Sequence, residues 1–479
     1  MATRSDSSES GTTLVLAILS CTGLILAFSE SMLIPALPVL QTEFHTTEAT
    51  IAWVPAIYLI LGGLVTPTFG KLGDHHGKKK LLLVALLFYT VAVVGNGFAW
   101  SVASLLVFRA VQGIGLAMFP LTFSLIRDDF PPERIPLSTG IVSAMFGVGG
   151  AIGLVGGGWI TQNFSWQTNY HLLSPVAVLV TLLVAWQVRE SPLRCGGRID
   201  LSGAILLGIA LLGFLVALTQ GDTWGWTSAY TLGLFAVGIV FTVLLVYTER
   251  RVADPFLDLT VKGARYIYEA HFLMFIGGFA IFFSFVFATY LASAPSPIGF
   301  GFDTLQATLT LAPAAVASFV AGPLFGRLVR SWGAKNVLLL SALILDAGFL
   351  SFLLFRAVPA ALAADMVIVF FGAGGIFVAV INVLFMYVPL SETGTETALN
   401  TVFRFVGAAV GPTIVGALLT AYAVPVASAG ESAAPAPAAQ AFFYAALAAT
   451  ALGLIGVVIA YALKKAPDSA LLEQSSVPR

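Results

Sequence analysis

The chain has 479 residues, of which 58% are hydrophobic and only 10% charged, against the roughly 25% charge of a soluble protein. Its net charge of −1 gives no reason to expect nucleic acid as a partner. The two cysteines, Cys21 and Cys195, exclude a disulfide framework, and no metal-ligand cluster of Cys and His is visible.

Fourteen stretches reach the about 20 mainly apolar residues that cross a bilayer: 13–38, 51–70, 80–99, 102–126, 137–160, 170–188, 201–219, 228–248, 268–292, 305–326, 336–356, 360–386, 398–421 and 440–463. The first, from Leu14 to Pro38, has no small-residue cleavage pattern after a short core and reads as a retained span. Between the second and third lies Gly70-Lys71-Leu72-Gly73-Asp74-His75-His76-Gly77-Lys78-Lys79-Lys80, too short and too charged to cross. Its four lysines put this turn on the cytoplasmic side. Of the 23 Lys and Arg, all but Arg109, Arg356 and Arg404 fall in alternate loops counted from the N-terminus, which places both termini in the cytoplasm. The outer loops are short, apart from the Ala/Pro-rich stretch from Val424 to Gln440, expected to be a flexible tether.

A partial copy of the charged turn recurs at Gly326-Arg327-Leu328-Val329-Arg330-Ser331-Trp332-Gly333. Gly70 and Gly326, like Gly77 and Gly333, stand 256 residues apart, so the chain carries an internal duplication. The offset leaves room for two spans between the copies. The expected organisation is a tail (1–12), a six-helix bundle (13–200), an inserted hairpin and linker (201–265), a second six-helix bundle (266–463) and a tail (464–479). Parallel six-span repeats are a transporter design.

Several motifs in order resemble the major facilitator superfamily, in particular its fourteen-span drug:proton antiporters. The 70–80 turn resembles the signature between spans 2 and 3, and Arg109-Ala110-Val111-Gln112-Gly113-Ile114-Gly115 the Arg-x-x-Gln-Gly-x-Gly of span 4. Gly147–Gly158 resembles the glycine-rich antiporter motif of span 5, Trp53 and Tyr58 the Trp-x4-Tyr of span 2, and Asn400–Gly407 a run common late in these exporters. Three departures stand out. The usual span-1 aspartate position is Ser29, with Glu30 beside it; His75 follows the turn aspartate; and Leu154 replaces the proline of the span-5 motif. The resemblance implies an all-α membrane protein of two six-helix bundles plus two inserted helices. It further implies a proton-coupled efflux transporter with no cofactor beyond the proton motive force, in a bacterial cytoplasmic membrane, acting as a monomer.

A charged group at mid-bilayer costs about 2.5–3.5 kcal/mol on insertion scales, so Glu30, Arg109, Asp346 and Arg404 are the first candidates for function. At 1.5 Å per residue, Glu30 and Arg109 both lie about 10–12 Å below the outer face. Their equal depth permits pairing, and Glu30 is read as a proton site tuned by Arg109, against a permanent structural ion pair. Arg404 is read as binding substrate, organising the second half or reaching toward the interface. Asp346 is read as neutral or paired on a peripheral helix.

Gly70, Gly73, Asp74 and Gly77, with Arg127 and Asp128 at the end of span 4, are read as a conformational latch. Asp74 is expected to pair with basic groups near span 11 or span 4. Gly149, Gly153 and Gly157 make a bare helix face suited to tight packing between the halves. Trp53, Tyr58, Gln112, Phe119, Asn382 and Arg404 are candidates to line a substrate cavity, although a lone Asn also serves simply to bond helices together.

The leading functional reading is export of amphipathic organic compounds such as antibiotics or secondary metabolites. The alternative is an exporter or facilitator for an endogenous metabolite, lipid or siderophore. No nucleophile–base pair or phosphate-cradling loop supports an enzyme.

Overall fold

The computed structural model describes residues 3–51, 53–194, 200–252, 256, 264–296, 298–302, 304–426 and 434–463; Cys195 lies outside them. Hydrocarbon offers no water to backbone amides, so an apolar span must satisfy them within a helix. Among the described residues, fourteen helices or runs of helix are long and apolar enough to cross a membrane: Gly11–Glu43, Trp53–His76, Lys78–Gly97, Val102–Asp129, Ile135–Asn163, Trp166–Gln187, Ser202–Gly221, Ala229–Glu249, Arg265–Ser293, Leu309–Trp332, Ala334–Phe355, Pro359–Tyr387, Leu390–Ala421 and Ala439–Ala462. They are called spans 1 to 14 below.

Two spans are broken where their sequences dictate. Span 1 is helical from Thr3 to Ser31, then turns through Ile34–Ala36 into the short helix Leu37–Glu43. Span 4 runs as Val102–Gly113 and Met118–Asp129 around a tighter turn at Ile114–Ala117. That turn lets two neighbours approach closely: a Cβ on Gly113 would come 2.5 Å from the Tyr58 carbonyl, and one on Gly115 would come 2.6 Å from the Tyr89 ring.

Two expectations change. The 70–80 turn is almost wholly helical: span 2 continues through His76, span 3 begins at Lys78, and Gly77 alone reverses the chain with φ 117°. A side chain is strained in that conformation, and a Cβ there would also meet the Glu190 carboxylate. The Ala/Pro-rich stretch after span 13 is not a simple tether either. Ala423–Val426 and Ala434–Pro437 pair as a two-stranded antiparallel ribbon.

The duplication is visible in the packing. Span 1 lies along span 5, and span 9 lies along span 13. Across the halves, span 2 packs on span 13, and its copy, span 10, packs on span 5. Both seams need glycine. A Cβ on Gly326 would come 2.6 Å from the Pro136 carbonyl, and one on Gly394 would come 2.7 Å from the Gly70 carbonyl. The inserted spans 7 and 8 form a hairpin whose first helix leans on span 2 and span 13, one from each half. There Trp224 meets Trp53 at 6.4 Å, and Thr413 Oγ1 donates to the Leu218 carbonyl at 3.3 Å. Span 8 turns Ile239, Val240 and Val243 outward.

The bare face of span 5 packs within its own half rather than between halves, because the neighbour it meets is span 1. A Cβ on Gly149 would strike the Leu24 carbonyl; one on Gly153 would come 2.5 Å from the Phe28 carbonyl, and one on Gly157 2.6 Å from that of Met32. Gly407 and Gly411 repeat the device on span 13 against span 9.

This packing gives a matched pair of expectations. Gly153→Ala overpacks the seam and is expected to destabilise the protein by about 1–3 kcal/mol. A Cβ on Gly150 meets nothing within 4 Å, so Gly150→Ala should be neutral or stabilising by up to about 1 kcal/mol. Thermal midpoints of the two purified variants in one detergent would show the difference.

Candidate transport site and latch

Three polar groups within electrostatic reach of one another at the junction of the halves carry buried atoms without hydrogen-bond partners. Glu30 Oε2 comes from span 1, Tyr58 Oη from span 2, and Arg404 Nε and Nη2 from span 13; all four atoms are buried and unpartnered. Glu30 is in electrostatic reach of Arg404 most strongly and of Arg109 next, and Arg404 in turn is in reach of Glu30 and Tyr58. The Arg404 guanidinium lies among aromatic rings, with Nε and Nη2 finding no acceptor. Its carbon lies 5.1 Å from the Phe119 ring, 4.3 Å from Phe146, 5.8 Å from Phe377 and 4.9 Å from Phe405. These rings come from spans 4, 5, 12 and 13, so the cation of one half sits among side chains of both. Buried polar atoms almost always find partners, and an intramembrane charge that does not is a strong functional candidate.

Arg109 is placed differently from the expected partner of Glu30. It donates to the carbonyls of Val54 at 3.2 Å and Ser29 at 3.1 Å and to Gln112 Oε1 at 3.2 Å, with its guanidinium 4.7 Å from the Tyr58 ring. Asn96 donates to the same Gln112 oxygen at 3.0 Å. Backbone carbonyls thus fix Arg109 in one pose, and among the described residues no ion pair joins it to Glu30.

Two cavity candidates lie elsewhere. Trp53 faces the inserted hairpin, and Asn382 donates to Thr139 Oγ1 at 3.0 Å across the halves. Asp346 sits on span 11 against Gly453 of span 14, with Oδ1 unpartnered.

One buried cluster escaped the sequence reading. His271 Nε2 lies 3.1 Å from Glu396 Oε2, and Asn400 Nδ2 lies 3.1 Å from His271 Nδ1. Phe403 stacks on the imidazole at 5.2 Å. Glu396 precedes the apolar run of span 13 in a Thr/Gly-rich segment, so hydropathy assigned it to a loop. A span-9 histidine was the available signal.

At the charged end the halves are joined through helix termini. Asp74 Oδ1 accepts from Gly394 N at 2.9 Å, and Oδ2 from Thr395 N at 2.7 Å and Thr395 Oγ1 at 2.9 Å. The aspartate thereby meets unpaired amides and the positive dipole end of the span-13 helix. Its hydrogen bonds go to these amides and the Thr395 hydroxyl, while the basic group beside it is Lys78, 3.6 Å away in a buried ion pair and bonded to Asp128 at 2.6 Å. Arg127 does the converse at the end of span 12. It donates to the carbonyls of Phe385 and Val388 at 2.6 Å each and to Thr393 Oγ1 at 2.7 Å. Gly70 lets this contact form, since any Cβ there would collide with the Gly394 carbonyl. Gly73 packs on Leu121, and Asp128 also accepts from Ser191 at 2.6 Å.

The family model described as Major Facilitator Superfamily matches residues 19–195 and 201–412. The chain belongs to that superfamily. It is 29% identical to Multidrug resistance protein 3 of Bacillus subtilis over 375 residues, covering 77% of this chain and 72% of that one. It is 25% identical to the Tetracenomycin C resistance and export protein of Streptomyces glaucescens over 402 residues, 83% of this chain and 74% of the relative. Among solved structures, the human organic anion transporter MFSD10 matches with a TM-score of 0.70 at 14% identity, covering 94% of this chain and 99% of the other. That last likeness is one of fold. This is a multi-pass membrane transporter whose relatives include multidrug and antibiotic efflux proteins.

The latch geometry ranks two substitutions. Asp74→Asn removes a charge and turns a donor toward donor amides, so it should shift the balance toward opening at the charged end by about 1–3 kcal/mol. Lys79→Gln loses one bond to the Ala185 carbonyl within a single half and should leave transport near normal. Labelling of cysteines placed at that end, with transport assays alongside, would report both.

Proposed function

We propose that this chain is a proton-coupled efflux transporter exporting amphipathic organic compounds by alternating access. It would lie in a bacterial cytoplasmic membrane, with both termini and the latch on the cytoplasmic side. The observation that carries the reading is the set of buried, unpartnered atoms on Glu30, Tyr58 and Arg404, within electrostatic reach of one another at the junction of two halves already joined at one end. In this reading Glu30 is the proton site. Ionised, it attracts Arg404 of the other half; protonated, it loses that attraction, and the relative stability of the two facing states changes. Arg109 is a positioning residue, since its bond to the Ser29 carbonyl holds the backbone beside Glu30. The latch opposes opening on the proposed cytoplasmic side until substrate enters. The names of the curated relatives support a drug or secondary metabolite as cargo.

Inverted membrane vesicles with an acid interior test the proposal, because an exporter should then accumulate a lipophilic dye until a protonophore is added. Glu30→Gln should reduce gradient-driven accumulation to background while the protein remains monodisperse and binds dye. Accumulation that ignores the protonophore, or is retained in Glu30→Gln, would overturn the coupling scheme.

A further inference from the structure

The charge balance and hydrogen-bonding capacity of the central cluster restrict what it can recognise. Two guanidiniums, Arg109 and Arg404, stand near one carboxylate, Glu30. A permanent cation entering there adds to an excess of positive charge in a medium of low dielectric constant, where like charges repel strongly. A full anion meets the carboxylate. A neutral group with a donor beside an acceptor satisfies both sides: its acceptor takes the unpartnered Arg404 Nε and Nη2, and its donor reaches Glu30 Oε2. Around that polar edge, the Arg404 cage supplies Phe119 and Phe146 from one half and Phe377 from the other. Such rings favour a flat aromatic body, which stacks or packs edge to face.

We infer that the cluster selects neutral planar aromatic molecules carrying an adjacent hydrogen-bond donor and acceptor, as in a lactam or a hydroxyaryl ketone, over lipophilic cations. The inference rests on the proposed transport role and adds its substrate class. It also accounts for competition between cargo and proton. Ionised Glu30 accepts a charge-assisted bond from the cargo's donor; protonation leaves only a weaker neutral acceptor, and cargo binding weakens.

Three probes on one tricyclic scaffold test it: phenanthridinone, with adjacent N–H and C=O; its N-methyl derivative, without the donor; and N-methylphenanthridinium, a permanent cation. Binding to the purified full chain in nanodiscs is followed by fluorescence titration. Phenanthridinone should bind about tenfold or more tighter than either analogue, as expected for hydrogen bonds to charged groups. Arg404→Gln should erase its advantage over the cation, Glu30→Gln should reduce its advantage over the N-methyl form, and Arg404→Lys should keep part of both. Equal or tighter binding of the cation to the wild-type chain overturns the inference, whatever the variants do. Ratios left unchanged by Arg404→Gln overturn it as well. Gradient-driven uptake of N-methylphenanthridinium with poor uptake of phenanthridinone would sink this substrate class and leave proton-coupled export standing. Gradient-independent movement of all three would sink export itself.

Discussion

A helix end buried between other helices has no water to complete its hydrogen bonds, and the rest of this molecule depends on how two such ends are completed. The span-13 helix begins with free amides and span 12 finishes with free carbonyls. Asp74 and Arg127, both from the first half, supply the missing acceptor and donors. Capping these termini and closing the halves at this end are therefore the same event. Separating the halves there would leave the two amides and the carbonyls unpaired at once, with water entering from that side as the replacement partner. A conformational change and a change of solvent are tied together by elementary hydrogen-bond accounting.

The centre of the molecule is built the opposite way. Its polar atoms lack partners, and Arg404 is surrounded by rings that give attraction without direction. The duplication supplies a symmetric scaffold for this, but the charges are not symmetric. The position 256 residues beyond Asp74 is Arg330, which is exposed, and the corresponding seam between spans 5 and 10 is sealed by Gly140 and Gly322. One copy of the motif became a charged clasp and the other a close glycine contact. The charged site likewise draws its carboxylate from one half and its unpaired guanidinium from the other.

Much of the fold was legible because the bilayer imposes one length and one polarity on every span. Fourteen apolar stretches, charge-rich alternate loops and a repeated turn motif are long-range regularities that a sequence carries openly. The site was legible as a set of unusual residues, since a charge amid apolar neighbours is conspicuous. Partnership was not. Arg109 and Glu30 share a depth, yet Arg109 turns to backbone carbonyls that no residue pattern encodes. Asp74 found helix-end amides in addition to a lysine for the same reason. His271 and Glu396 come together only because spans 9 and 13 pack side by side, and Asn382 and Trp53 point where helix rotation sends them. Depth and identity are written along the chain; the azimuth of a helix is decided by its neighbours.

Gly77 has a mechanical meaning. It is the single non-helical residue between spans 2 and 3, and Glu190, just past the end of span 6, accepts from Lys79 N at 2.9 Å and Lys80 N at 3.0 Å. A connection one residue long has no slack, and its far side is clamped to a third helix. A displacement at Asp74 would therefore reach spans 3 and 6 rather than be absorbed in a compliant loop.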